Sequence, residues 1–457
     1  MAWGRIFLRW NQPSIPPMER LGVRDIVTSW TTEKFSIIHK AAALGYRVYI
    51  EAGIEGAASL ALPTTASDVS GIIVDPGDAL PDLVSVQLRK LRAGRPGTMF
   101  LVVNTSALQP KMRGTLILNQ NGILYATSPT AQPWVDTNLA LVRLEQAFRP
   151  NQTPLYSFPW SLAGIAQKQG PETADYALAV AEAGAFQANL ILTLHQKLET
   201  DLARNDPAGW ATWDRIKPYI QFYSEQPSNR RPEADVVVAA AEDPASFEPI
   251  NLLARHNIGL RVLRPEQLSQ VNLRAVPVAV VLSPPSRTAT QALSRFAREG
   301  GTVALVNPER TSYPWHSVNP SRTGSSISYR LGKGRIIELQ EAVSDPETFA
   351  QDIRRLIDNR RIHISLWNAL TTIGVLYQSS QENVVELVNY AHDPLEAQVR
   401  IKGDFASVRY ETPEQGCCET LESYPENGFT EFSVPHLHIS GRIRLKAANA
   451  KPAVKKH

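Results

Sequence analysis

The chain has 457 residues, of which 43% are hydrophobic and 20% charged, a composition that excludes wholesale disorder and fibrous repeats. Its 47 basic and 44 acidic side chains leave a net charge of +3, which excludes the strong basic footprint of a nucleic-acid binder. No run approaches the ~20 apolar residues of a membrane-spanning helix, the mean hydropathy is −0.20, and the length suits two or three domains.

The amino terminus, MAWGRIFLRWNQPS, has neither a long apolar core nor a small-residue cleavage site. It reads as a first strand with no secretion signal, which points to a cytoplasmic protein unless a signal once preceded it. From there to about residue 225, apolar runs alternate with helix-period segments. The expected strands are RIFLRW (5–10), DIVTSW (25–30), RVYIEA (47–52), GIIVDP (71–76) and MFLVVN (99–104), then a run within TLILNQNGILYA (115–126), PLYSFP (154–159) and ANLILTL (188–194). They are apolar almost throughout, as strands buried on both faces of a parallel sheet must be. Between them EKFSIIHKAAALG, LVSVQLRKLRAG, TNLALVRLEQAF and ETADYALAVAEAGAF read as helices, several ending in glycine. The fold class expected for 1–225 is α/β, a (β/α)8 barrel, with an open doubly wound sheet as the competing topology. The first crossover is thin, since only PPMERLG can be helical there.

WATWDRIKPYIQFYS (210–224) reads as the barrel-closing helix, and QPSNRRPEAD (226–235) as a polar linker. A second alternation over 233–362 predicts a small α/β domain of about four parallel strands with a late hairpin, SISYRLGKGRIIEL, and a helix at 346–358. Over 368–447 the pattern becomes period-two strands separated by turns such as HDP, GD and PENG, an antiparallel β-sandwich. The adjacent Cys417 and Cys418 are too few for a disulfide framework or a four-ligand zinc site, and neither a cofactor motif nor a metal-ligand set is expected.

The order barrel, small α/β domain, sandwich resembles the three-domain retaining β-galactosidases, whose middle domain is a glutaminase-like trimerisation module. GAFQANLILTL with WDRIKPYIQFY is similar to the last barrel strand and closing helix of those enzymes. VVLSPPSRTATQALSRFAREGGTVALVN is similar to their middle domain, and VELVNYAHDPLEAQVRI to the opening of their sandwich. The resemblance implies a glycoside hydrolase acting on a carbohydrate substrate, and a homo-oligomer formed through the middle domain. It carries no catalytic residue across, because no Asn-Glu pair ends a fourth strand and no Glu ends PLYSFP. Ser283-Pro284-Pro285 stands where a glutaminase elbow would place its cysteine, so amidotransferase chemistry is not expected.

In a barrel, reactive groups sit at the carboxyl ends of strands, and glycosidic hydrolysis needs two carboxyl groups. Asp75, directly after GIIV, is the first candidate, with Glu51 on the neighbouring strand as its partner and Asp136 as a third. Each has a plainer reading: Asp75 as acceptor in its own Pro-Gly turn, Glu51 or Asp75 as partner of Arg9, and Asp136 as a helix N-cap. Binding candidates at the same mouth are Arg9, Asn11, Trp30, Asp78, Asn104, Trp134, Trp160, His195 and Glu199. Tryptophans there, Trp10 included, can stack on sugar faces or simply pack, and His195 can be an ordinary loop residue. A barrel without catalysis, acting in carbohydrate binding or assembly, is the rival reading; nucleic acid and membrane are not expected partners.

Overall fold

The structure, a computed structural model, describes residues 4–30, 34–59, 68–104, 117–120, 123–126, 137–157, 171–224, 230–308, 313–340, 346–379, 382–391 and 393–447. The chain divides into two compact units, residues 1–113 with 150–228, and residues 114–149 with 229–457.

The first unit is a parallel barrel. Its strands are β1 (Ile6–Arg9), β2 (Asp25–Ser29), β3 (Arg47–Gly53), β4 (Val69–Asp75) and β5 (Phe100–Val102). After a separate hairpin of β6 (Ile117–Gln120) and β7 (Ile123–Ala126), β8 (Leu155–Ser157) and β9 (Asn189–Thr193) complete the sheet. The order is β5-β4-β3-β2-β1-β9-β8, all parallel. The ring comes nearly full circle, since the Asn104 N–H donates to the Leu155 carbonyl at 2.6 Å and ties the end of β5 to β8. Among the described residues the barrel has seven strands where the sequence led us to expect eight. The missing one is TLILNQNGILYA, whose described runs form the antiparallel β6–β7 pair; an Asn-Gly between two apolar runs favours such a pairing in sequence.

Strand alternation sorts the barrel's side chains into layers. Phe7, Val27, Tyr49, Ile73, Leu155 and Ile191 fill the interior, while Ile72 and Val74 face outward against Val84, Leu88 and Leu91 of the helix Pro81–Gly94. Below the apolar layer, Arg5 donates to Asp25 Oδ1 at 2.8 Å and to the Tyr49 hydroxyl at 2.8 Å, and Arg47 reaches Asp25 Oδ2 at 2.7 Å. This charged floor closes the amino-terminal end. The thin first crossover is a single turn, Met18–Leu21, stopped by Gly22 at φ 70°. The long helix Pro207–Ser224 packs on the helix Thr173–Ala185, as the closing helix should.

The helix Leu139–Phe148, which its periodicity alone assigned to the barrel, belongs to the second unit. It packs on the helix Pro244–Arg255, with the Ala140 N–H donating to Asn251 at 2.9 Å and Arg149 paired to Glu242 at 2.7 Å. Period 3.6 identifies an apolar face without saying which core receives it.

In the same unit, strands Val236–Ala239, Leu260–Leu263, Val278–Val281, Thr302–Val306 and Gly334–Leu339 run parallel. Ser326–Leu331 and Ser321–Thr323 extend this sheet in antiparallel fashion. RLGKGR is the tip of that hairpin, with Gly332 at φ 56° where a Cβ would meet the Arg298 carbonyl at 2.6 Å. Ser283 is buried and accepts the Ala241 N–H at 2.8 Å.

The sandwich consists of a six-stranded and a four-stranded antiparallel sheet around a core that includes Leu387, Val399, Phe432 and Ile443. It recruits Arg231–Pro232, read from the sequence as linker, as an edge strand on Thr372–Gln378. Proline at an edge leaves no ladder donor unmet. No helix among the described residues is long and apolar enough to cross a membrane.

Candidate active site

The carboxyl ends of the barrel strands converge on Arg9. Its Nε donates to Glu51 Oε2 at 3.0 Å and its Nη2 to Oε1 at 2.5 Å, a two-pronged carboxylate contact of the kind guanidinium geometry favours. Nη1 donates to Thr193 Oγ1 at 2.6 Å and lies 3.4 Å from Ser157 Oγ. One side chain thus connects the ends of β1, β3, β8 and β9 just above the apolar layer. Both members of the pair keep access to solvent, with 23% of the Arg9 and 20% of the Glu51 side chain exposed.

Asp75 ends β4. It shares the parity of Ile73, which faces the interior, and Ile73 lies opposite Glu51 in the register. Asp75 therefore rises from the inner face one step above Glu51 on the adjacent strand. It is exposed, and its Oδ1 accepts the Gly77 N–H at 2.9 Å within its own turn. Asp78 and Glu55 are exposed nearby in sequence.

On the β1 side of the mouth, Glu199 accepts the Asn11 N–H and, at 3.4 Å, the Gln12 Nε2. Burial raises the Glu199 pKa, against which the Asn11 N–H and the Gln12 amide pull downward. Lys34 Nζ spans Asn11 Oδ1 at 3.2 Å and Ser29 Oγ at 2.8 Å. His195 caps the helix Gln196–Ala203, its Nδ1 accepting the Lys197 N–H at 3.3 Å, and its own N–H donates to the Tyr176 hydroxyl at 2.9 Å.

Because its pKa is raised, the folded chain holds the Glu199 proton more tightly than the unfolded chain does. The associated stability is complete below the ordinary value of 4.5 and is lost as pH rises through the folded value. Wild type is expected to lose stability from pH 4.5 toward neutrality, and Glu199→Gln to flatten that part of the profile; urea midpoints across the range check it.

The sequence-derived candidates divide accordingly. Arg9 and Glu51 are joined directly, Asn11 and Glu199 form a second contact group, and Asp75 stands at the rim. Asn104 is half-buried and contributes the ring-closing N–H, and Trp30 is half-buried at the end of β2. Trp10 is a core residue, 2% exposed, with Nε1 bonded to the Ser14 carbonyl at 2.9 Å. Asp136, Trp134 and Trp160 lie outside the described residues. Sequence reasoning passed over Thr193, Ser157 and Lys34. The first two close the runs ANLILT and PLYS, so the strand-end rule that found Asp75 reaches them as well.

No protein-family model matches the chain, and no curated protein matches it in sequence. Solved structures do match. An alpha-L-fucosidase, isoenzyme 2, from Paenibacillus thiaminolyticus aligns with a TM-score of 0.63 at 10% identity, over 98% of this chain and 100% of that one. A beta-galactosidase from Rahnella sp. R3 aligns with a TM-score of 0.49 at 10% identity, over 92% and 94%. The exo-beta-1,4-mannosidase Op5Man5 from Opitutaceae bacterium strain TAV5 gives 0.47 at 13% identity, over 78% and 97%. The first likeness shows a shared fold along nearly the whole chain, a parallel α/β barrel with its following domains.

Proposed function

We propose that the chain hydrolyses a glycosidic bond at the carboxyl end of the barrel, with Glu51 and Asp75 as its two carboxyl groups. The observation that carries this reading is their placement on one inner face. With strands ~4.8 Å apart and a rise of ~3.3 Å per residue, a one-strand, two-residue diagonal sets their Cβ atoms about 8 Å apart. That spacing is compatible with the roughly 5–10 Å between carboxyl groups that glycosidases use. Glu51, held by Arg9, acts as the fixed carboxylate, the nucleophile or the base that activates water. Asp75 at the rim donates the proton to the departing oxygen. Arg9 orients Glu51, and Thr193 and Ser157 hold Arg9.

A second reading draws on a different observation. Asp75 is engaged by its own turn and Glu51 by Arg9, an arrangement that also suits a barrel that binds saccharide without cleaving it. Release of chromophore from a panel of aryl glycosides separates the two. Turnover by wild type that Asp75→Asn diminishes supports hydrolysis. Saturable saccharide binding without turnover supports the second reading and sinks the first.

A further inference from the structure

The four-stranded sheet of the sandwich is built from Ile364–Trp367, Leu395–Lys402, Phe429–Leu437 and Ser423–Glu426. Its inner face carries Ile364, Val399, Ile401 and Phe432 into the core. Strand alternation sends the intervening residues outward, and the register lines them up: Ser365 beside Arg400, Arg400 beside Glu431, Glu431 beside Tyr424, with Trp367 beside Gln398 and Gln398 beside Ser433. Two large aromatic rings stand on this outer face in solvent, Trp367 at 47% and Tyr424 at 59% exposure. They are three strands and two residues apart, about 16 Å at ~4.8 Å per strand and ~3.3 Å per residue.

At one end the face opens into a cleft of about 630 Å³ lined by Arg360, Arg400, Lys402, Asn427, Gly428 and Phe429. That volume is within the ~300–1,000 Å³ of ordinary ligand sites. Three cations line it and no carboxylate does. The Arg400 guanidinium lies 3.9 Å above the Phe429 ring, and its Nε is 3.6 Å from Glu431 Oε1. The Arg360 and Lys402 side chains make no ion pair among the described residues. Arg400 and Lys402 are two residues apart on one strand, so their Cα atoms are separated by ~6.6 Å. Both side chains point into the same cleft, so an anionic group there meets more than one cation.

We infer that this outer face binds an acidic oligosaccharide, with sugar rings lying on Trp367 and Tyr424 and anionic substituents entering the Arg360–Lys402 cleft. The C–H face of a sugar ring is weakly positive and the face of an aromatic ring is negative, so the two stack. Gln398, Ser433 and Glu431 between the rings supply hydrogen-bonding groups for hydroxyls. Single-stranded nucleic acid fits less well, because the ring inside the basic cleft, Phe429, is already covered by Arg400 and leaves no platform for a base. The inference concerns the sandwich and is independent of the barrel's chemistry.

Titration calorimetry on the full chain tests it with four probes: an oligogalacturonate hexasaccharide, a chondroitin sulfate hexasaccharide, neutral cellohexaose and a 12-nucleotide single-stranded DNA. One or both anionic hexasaccharides are expected to bind at least about 10-fold tighter than cellohexaose, and which one binds distinguishes carboxylate from sulfate as the recognised group. Trp367→Ala and Tyr424→Ala should each weaken binding several-fold. Lys402→Ala and Arg360→Ala should shrink the preference for the anionic probes. All these sites are exposed, so an unaltered melting curve verifies each fold. The inference is overturned if no saccharide binds at millimolar concentration, if Trp367→Ala binds as wild type does, or if cellohexaose equals the anionic probes. It is overturned equally if the DNA binds more tightly than any saccharide. Self-association that Trp367→Ala abolishes, without saccharide binding, would assign the face to a second copy of the chain.

Discussion

Glu51→Gln is expected to lower kcat/KM on a responsive aryl glycoside by about 10²–10⁴-fold, the scale of losing a positioned acid–base group. The amide is isosteric and can still accept one Arg9 N–H, so the strand ends should hold their positions. The loss should therefore fall on kcat with KM nearly unchanged, the sign of an interaction made in the transition state. Steady-state kinetics beside a thermal melt measure both at once. A variant with wild-type kcat would remove Glu51 from the chemistry, and a KM effect alone would make it a binding group.

The largest stability effect is expected in the sandwich. Glu386 is 1% exposed, and its Oε1 accepts Arg442 Nε at 2.6 Å and Arg230 Nη1 at 3.3 Å. Arg442 continues to Glu411 at 3.2 Å, which Arg444 shares at 3.0 Å. Burial raises the Glu386 pKa, opposed chiefly by Arg442, and burial likewise lowers that of Arg230, opposed by Glu386. Removing the carboxylate leaves two guanidinium groups facing each other out of water. Glu386→Ala should cost about 3–5 kcal/mol, the usual penalty for breaking a buried ion pair from one side. The urea midpoint reads it. Replacing Glu386, Arg230 and Arg442 together by apolar residues of similar size should recover most of the loss, because the desolvation cost disappears with the charges. A triple variant no better than Glu386→Ala would mean that the network does more than balance itself.

Much of the architecture was legible because burial on both faces leaves a plain mark. Uninterrupted runs such as GIIV and ANLIL fit strands buried on both faces of a parallel sheet, and the change to alternation after residue 368 marks the sandwich. The misassignments occurred where local pattern underdetermines the partner. TLILNQNGILYA is apolar enough for a strand, and its Asn-Gly decides for a hairpin. The segment 139–148 has a helix's periodicity, and only the cores available to it decide where it docks. At the mouth, strand-end position found Arg9 and Glu51, and the sequence reading already named Arg9 as a partner of Glu51 or Asp75. What spacing could not show was that Thr193, on the strand paired directly with β1, and Ser157, one strand further, complete the contacts of Arg9. Such contacts join residues 184 and 148 positions apart and leave no periodic trace.

The Arg5–Asp25–Arg47 floor, with the filled layer above it, makes the barrel a blind well. Whatever descends to the level of Arg9 must leave by the opening through which it entered. A polymer cannot be threaded through the cylinder from end to end. A long chain can present only a tip, or a segment laid across the brim.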